Sequence, residues 1–158
     1  MLLQDIFSAA RIKAGLEAED KEELFEELAD VLVRGYGIAD RDGVLAAVRE
    51  REAKMSTGIK TGIAIPHGKT ECVSGICGVL GISRGGIDYE ALDGKPVHFV
   101  IFLVCSPKDT ELHLKTLHKI AGILKCPGFY EEMREADSAE KAHEVLRRYE
   151  DMLEKSKD

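Results

Sequence analysis

Residues 97–105 read Val-His-Phe-Val-Ile-Phe-Leu-Val-Cys, apolar almost throughout, and stop at Ser106-Pro107. A run of this kind, with no polar alternation, leaves no side for water and predicts a central strand buried on both faces. Such a strand needs helices above and below it, and the rest of the chain supplies them. Asp20 with Glu23 forms a capping box ahead of Leu24, Phe25, Leu28, Val31 and Leu32, the spacing of an amphipathic helix that stops near Gly35 or Gly37. A second helix follows Asp40 or Asp42 and buries Val44, Leu45 and Val48. A third begins at Asp109 or Thr110 with the stripe His113, Leu117, Ile120, Ala121 and Leu124. Residues 129–136 form a short helix. The last helix, capped by Asp137 with Glu140, buries Ala139, Ala142, Val145, Leu146, Tyr149, Met152 and Leu153 and leaves His143 in solvent.

The remaining stretches are strands and turns. Residues 1–16 carry a weak strand or edge element, residues 75–83 a strand thinned by glycines, residues 84–88 a turn, and Asp93-Gly94 another turn. His98, at the start of the apolar run, is structural, and residues 154–158 form a frayed tail. Strands separated by helices imply an α/β sandwich: a single domain over residues 1–158, core at about 2–153, whose mixed, mostly parallel sheet is flanked by helices on both faces. The chain shows no internal repeat, linker or low-complexity segment.

Charge and cysteine usage narrow the function. Basic residues number 22 against 29 acidic, a net charge of −7, and no Lys/Arg run forms a stripe, so nucleic acid and anionic membranes are poor partners. No apolar stretch approaches the ~20 residues that span a bilayer, and the N-terminus lacks a signal-peptide layout, which points to a cytoplasmic protein. The 4 cysteines (Cys72, Cys77, Cys105, Cys126) have no C-x-x-C spacing and read as small, mostly buried hydrophobes. A phosphatase-type C-x5-R loop fails as well, because Arg84 lies one residue too far from Cys77.

Residues 55–69, Met-Ser-Thr-Gly-Ile-Lys-Thr-Gly-Ile-Ala-Ile-Pro-His-Gly-Lys, have the character of a site. Gly58, Gly62 and Gly68 admit close approach, and the Ser56 and Thr57 hydroxyls with free loop N–H groups are suitable donors to an anion. Pro66 stiffens the chain just past a short apolar strand at 63–65, so His67 is aimed from a fixed corner. Gly68-Lys69-Thr70 is not a P-loop, since that motif would need a glycine at Ile63. Arg51 continues the inward stripe of the second helix. It either snorkels to water or binds an anion beside His67 through its planar fork. His113 occupies a core-facing slot in the first turn of the third helix, as a satisfied core histidine or a functional one. His118 lies about 140° round the same helix and cannot share its site.

Taken together, Arg51-Glu52, Ser56-Thr57-Gly58, Gly62-Ile-Ala-Ile-Pro-His-Gly68, Gly86-Ile-Asp-Tyr-Glu-Ala-Leu-Asp93 and His113-Leu114 resemble the fructose/mannitol-type EIIA domain of the phosphoenolpyruvate-dependent phosphotransferase system. The resemblance covers nearly the whole chain, and its specificity comes from separate motifs recurring in order with family-like spacing. It implies a phosphotransferase component, a phosphocarrier acting through a phosphohistidine at Nε2 of His67, with His113 and Arg51 as further active-site residues. Ser56, Thr57, Gly58 and Gly68 would form the phosphate-binding loop. The donor would be phospho-HPr and the acceptor a cysteine of an EIIB domain or protein on a separate chain. No metal and no cofactor are implied. The stand-alone, nitrogen-related regulatory EIIA branch resembles the chain too, and would control partner proteins by its phosphorylation state. A metal-dependent hydrolase using His67, His113 and Asp88 or Asp93 is the remote third reading, without an H-x-x-E-H spacing to support it.

Overall fold

The computed structural model describes residues 1–58 and 60–157. Ile59 in the glycine-rich stretch and Asp158 at the tail lie outside it. Its centre is β5 (Val97–Cys105), every residue of which is buried. β5 pairs antiparallel with β4 (Ile76–Ile87), and β4 pairs parallel with the short edge strand β1 (Ile12–Lys13). Along the other side of β5 run β2 (Ile63–Ala64) and β3 (His67–Lys69), both parallel to it. The result is a mixed, mostly parallel open sheet of five strands among the described residues.

β2 and β3 behave as one interrupted edge strand. Ile63 lies opposite Phe99 and His67 opposite Leu103, so the register passes the break unchanged. The break falls at Pro66, which has no N–H to give but still accepts from the Leu103 N–H at 3.0 Å. The sequence reading places His67 in a corner loop; the sheet edge instead takes in His67, Gly68 and Lys69.

Alternation along β5 sorts the core into two layers. Phe99, Ile101 and Leu103 face one cluster with α1 (Leu3–Ile6), α4 (Thr110–Leu124), α5 (Phe129–Glu135) and α6 (Ala139–Lys155). Val100, Phe102 and Val104 face the other, with α2 (Lys21–Tyr36) and α3 (Arg41–Lys54). Asp20 caps α2 by accepting from the Glu23 N–H, and Gly37 closes it in the left-handed conformation at φ 67°. Asp40 caps α3 through the Gly43 N–H.

Several local expectations are corrected. Residues 84–88 are not a free turn: β4 runs on to Ile87, with its register shifted between Ile82 and Ile87. There Gly86 has φ 88° and donates to Ser83 Oγ, an irregularity that lets the strand continue. The buried face of α4 is rotated from the expected stripe, with Thr116 and Ile123 inward and Ala121 exposed. Ser138, not Asp137, caps α6, while Asp137 pairs with Lys141 at 2.9 Å. Met152 of the expected α6 stripe is exposed. His143 is half-buried and bonds the Gln4 carbonyl at 2.9 Å. Beside it Glu150, buried at 2% exposure, accepts from the N–H groups of Leu3 and Gln4 and so fastens α1.

Candidate functional site

The edge strand lies between α3 of one helical layer and α4 of the other. β3 touches α3 on one face, and His67, two residues on from Ile65 and thus on the same face, turns towards α4. Gly68 is required by the first contact: a Cβ there would stand 2.7 Å from the backbone of Ala47 in α3. The second contact brings the rings of His67 and His113 to 5.4 Å between centroids, at 52° between planes. An open pocket of about 410 Å³ lies over this junction, lined by Arg51 and Lys54 at the end of α3, His67 to Lys69 of β3, and His113, Leu114 and Leu117 of α4. Among the described residues Glu50 is its only acidic lining residue, against three Lys/Arg side chains, so the pocket has a cationic surplus on a net-acidic chain.

His67 is fixed by its own backbone. Nδ1 lies 2.7 Å from the Ile65 carbonyl oxygen, which can only accept, so Nδ1 carries the proton and Nε2 of the neutral ring holds the lone pair. Burial holds the ring's pKa below the ordinary histidine value. The Ile65 carbonyl pulls it up, the Arg51 charge pushes it down and the Glu52 carboxylate raises it. The net depression keeps the ring neutral, and its lone pair available, near pH 7.

His113 is more deeply buried, at 4% exposure, and its pKa is pushed down to about 4, chiefly by burial and then by the charges of His67 and Lys69. Its Nδ1 is buried with no hydrogen-bond partner. A buried orphan N–H costs more than an orphan lone pair, which favours the tautomer with the proton on Nε2. In that form His113 is a neutral donor held rigidly at the pocket wall.

Arg51 Nη1 donates to the Met55 carbonyl at 3.0 Å, which anchors the guanidinium at the pocket while leaving donors unused. Lys69 Nζ reaches Thr110 Oγ1 at 3.3 Å across the pocket mouth.

Thus Arg51, His67, Gly68 and His113 are brought together, but Ser56, Thr57 and Gly58 are not. Ser56 Oγ accepts from the Gly58 N–H. Thr57 is 3% exposed, and both its N–H and its hydroxyl are taken by Glu52. Burial and prior bonding remove Thr57 as an anion donor in this state, and neither Ser56 nor Gly58 lines the pocket. Asp88 and Asp93 do not line the pocket, and among the described residues no group of three or more His, Cys, Asp or Glu could hold a metal ion. Glu52 itself was passed over in the sequence because it sits beside the more suggestive Arg51; its spacing to Lys21, Thr57 and Tyr89 carries no local signal.

Fold and pocket together define an open-sheet α/β protein that presents paired histidines and a guanidinium to an anionic group at the sheet edge. The chain belongs to the family described as "Phosphoenolpyruvate-dependent sugar phosphotransferase system, EIIA 2", which it matches over residues 5–149. It is 35% identical over 126 residues to the fructose-specific EIIA component of Haloferax volcanii, covering 80% of this chain and 82% of that protein. It is 31% identical over 149 residues to the fructose-specific EIIABC component of Bacillus subtilis, spanning 94% of this chain but 24% of that protein's length. Among solved structures, the Neisseria meningitidis nitrogen regulatory protein IIA-Ntr aligns with a TM-score of 0.83 at 30% identity, covering 91% of this chain and 98% of that one. The Escherichia coli IIAMTL, solved in complex with phosphorylated enzyme IIBMTL, shares the fold at 22% identity with a TM-score of 0.75, over 89% of this chain and 96% of that one. Among the described residues, no helix is long and apolar enough to cross a membrane.

Proposed function

We propose that this chain, working as one EIIA unit, is a cytoplasmic phosphocarrier of a sugar phosphotransferase system. It accepts a phosphoryl group from phospho-HPr on Nε2 of His67 and passes it to a cysteine of an EIIB partner. The observation that carries the reading is His67 itself: a neutral imidazole, Nδ1 bound to a carbonyl, standing 5.4 Å from a second histidine in a cationic pocket. The fructose-specific EIIA relatives support the same role, and the IIAMTL–IIBMTL complex supports the choice of acceptor.

The chemistry asks little more of the protein. The Nε2 lone pair forms the new N–P bond as the donor's P–N bond breaks, with that bond's electron pair returning to the donor ring. The proton stays on Nδ1, donated to the Ile65 carbonyl throughout, so no general base is needed. Phosphoryl transfer depends on in-line positioning and on compensating charge spread over the equatorial oxygens. Arg51 and a donated Nε2–H of His113 supply that compensation, and the exposed Leu114 on the rim leaves the approach open to a docking protein.

A second reading rests on the IIA-Ntr likeness, which spans nearly all of that chain. Here the same phosphorylation switches a regulatory interface. Incubation with phosphoenolpyruvate, enzyme I and HPr should give an acid-labile, base-stable label that His67→Gln abolishes. Pull-downs with both phospho-forms separate the readings: an EIIB bound preferentially supports the carrier, a different protein bound by one form supports the regulator. Failure of phospho-HPr to label the chain would remove both.

A further inference from the structure

Glu52 lies one residue past Arg51, about 100° further round the last turn of α3, at 8% exposure. Its Oε1 accepts from the Thr57 hydroxyl at 2.6 Å and the Tyr89 hydroxyl at 2.8 Å. Its Oε2 accepts from the Thr57 N–H at 2.9 Å and pairs with Lys21 Nζ at 3.2 Å. The two hydroxyls also touch each other at 2.8 Å, and Tyr89 is fully buried with its ring edge against Phe25. Each polar atom in the cluster has a partner, which fixes Thr57 at both its backbone and its side chain.

Thr57 in turn leads to the nucleophile. Its carbonyl accepts from the Ile65 N–H at 3.1 Å, and the Ile65 carbonyl is the oxygen that holds His67 Nδ1 at 2.7 Å. Gly58 locks the same segment from the other side: its N–H goes to Ser56, its carbonyl accepts from the Leu92 N–H, and a Cβ would clash with Tyr89 at 2.9 Å. Residue 65 sits on the sheet edge at an interruption, where ladder hydrogen bonds alone give weak control of a carbonyl's direction. Chains of satisfied hydrogen bonds in a low-dielectric interior are stiff and mutually reinforcing.

We propose that Glu52, Thr57 and Tyr89 are positioning residues for His67, fixing through Thr57 and Ile65 the carbonyl that sets the imidazole's tautomer and direction. The motif Ser56-Thr57-Gly58 then serves the phosphoryl transfer from behind the ring, not by touching the anion. This inference rests on His67 being the phosphoryl acceptor. It goes further in assigning the cluster a role that stability alone does not require.

The test compares wild type, Thr57→Val, Thr57→Ser and Tyr89→Phe by ¹⁵N NMR of the unphosphorylated His67 ring, together with the initial rate of phosphorylation by phospho-HPr. Wild type should show Nδ1–H with an unprotonated Nε2. Thr57→Val should populate the opposite tautomer and slow phosphorylation about ten- to a hundredfold, the cost of a misplaced reacting group. Tyr89→Phe should move both readouts in the same direction by less, and Thr57→Ser, which keeps the hydroxyl, should restore them. Folded Thr57→Val with a wild-type tautomer and rate overturns the proposal. Should Thr57→Val not fold, Tyr89→Phe decides: a shifted tautomer supports the role, and an unshifted one overturns it. The tautomer measurement needs no phosphoryl donor, so it fails or succeeds independently of the phosphocarrier reading.

Discussion

Arg51 and Glu52 are neighbours in the chain, yet they serve opposite kinds of surroundings. Arg51 opens onto a pocket whose polar groups are left wanting partners: the guanidinium has unused donors, and His113 Nδ1 is buried without a hydrogen bond. Glu52 closes a cluster in which the carboxylate, two hydroxyls, an amide and an ammonium satisfy one another. Unsatisfied groups at a pocket hold free energy in reserve for a ligand, whereas satisfied ones hold backbone in place. One turn of α3 thus joins the part of the molecule that changes state to the part that must not.

The contrast breaks first at Glu52. Glu52→Ala leaves buried donors and Lys21 without their acceptor and should destabilise the fold by about 3–5 kcal/mol, read from urea unfolding. A loss under ~1 kcal/mol would show that the cluster is not structurally coupled. Arg51→Ala should do the reverse. Stability stays within about 0.5 kcal/mol, as for a surface substitution, while phosphoryl transfer slows about a hundredfold, the scale of a lost transition-state donor. Equal damage to stability and rate in both variants would erase the distinction.

Acid titration sharpens it further. Folded His113 takes up its proton only near pH 4, the unfolded chain near 6.5, so between those values the unfolded state binds more protons. The stability this represents is complete above about pH 6.5 and falls away as pH drops towards 4, by about 3 kcal/mol. Glu52, whose net shift is downward because the Thr57, Tyr89 and Lys21 contacts outweigh burial, adds a loss only at pH below its unfolded value of 4.5. His113→Leu should therefore flatten most of the slope between pH 6.5 and 4, His67 retaining a part. The same variant removes an orphaned nitrogen and should gain about 1 kcal/mol at pH 7, while transfer slows. A more stable His113→Leu with unchanged transfer would take His113 out of the site.

The sequence showed the open half of this arrangement better than the closed half. Arg51 and His113 announce themselves by being polar on inward helical stripes, and His67 by its Pro-His-Gly setting. β5 is legible because burial on both faces suppresses alternation. By contrast, nothing local marks β3, which exists only because Val104 and its neighbours offer a parallel edge to residues 67–69. The extension of β4 through Arg84 and Gly85 is hidden by residues that read as a turn. Glu52 and Glu150 look like ordinary surface carboxylates, since the groups that satisfy them come from distant segments: Thr57, Tyr89 and Lys21 for one, Leu3, Gln4 and Lys119 for the other. The bonding of Thr57 is hidden for the same reason, its hydroxyl and N–H being spent on Glu52 inside the fold.

The central claim is that His67 carries the phosphoryl group on the nitrogen its backbone leaves free. ³¹P and ¹⁵N NMR of the protein phosphorylated by phospho-HPr tests it directly. The account predicts a single phosphorus coupled to Nε2 of His67, with Nδ1 still protonated and no signal in His67→Gln. A phosphorus bonded to Nδ1 of His67, to His113, or to any oxygen or sulfur of the chain would contradict it.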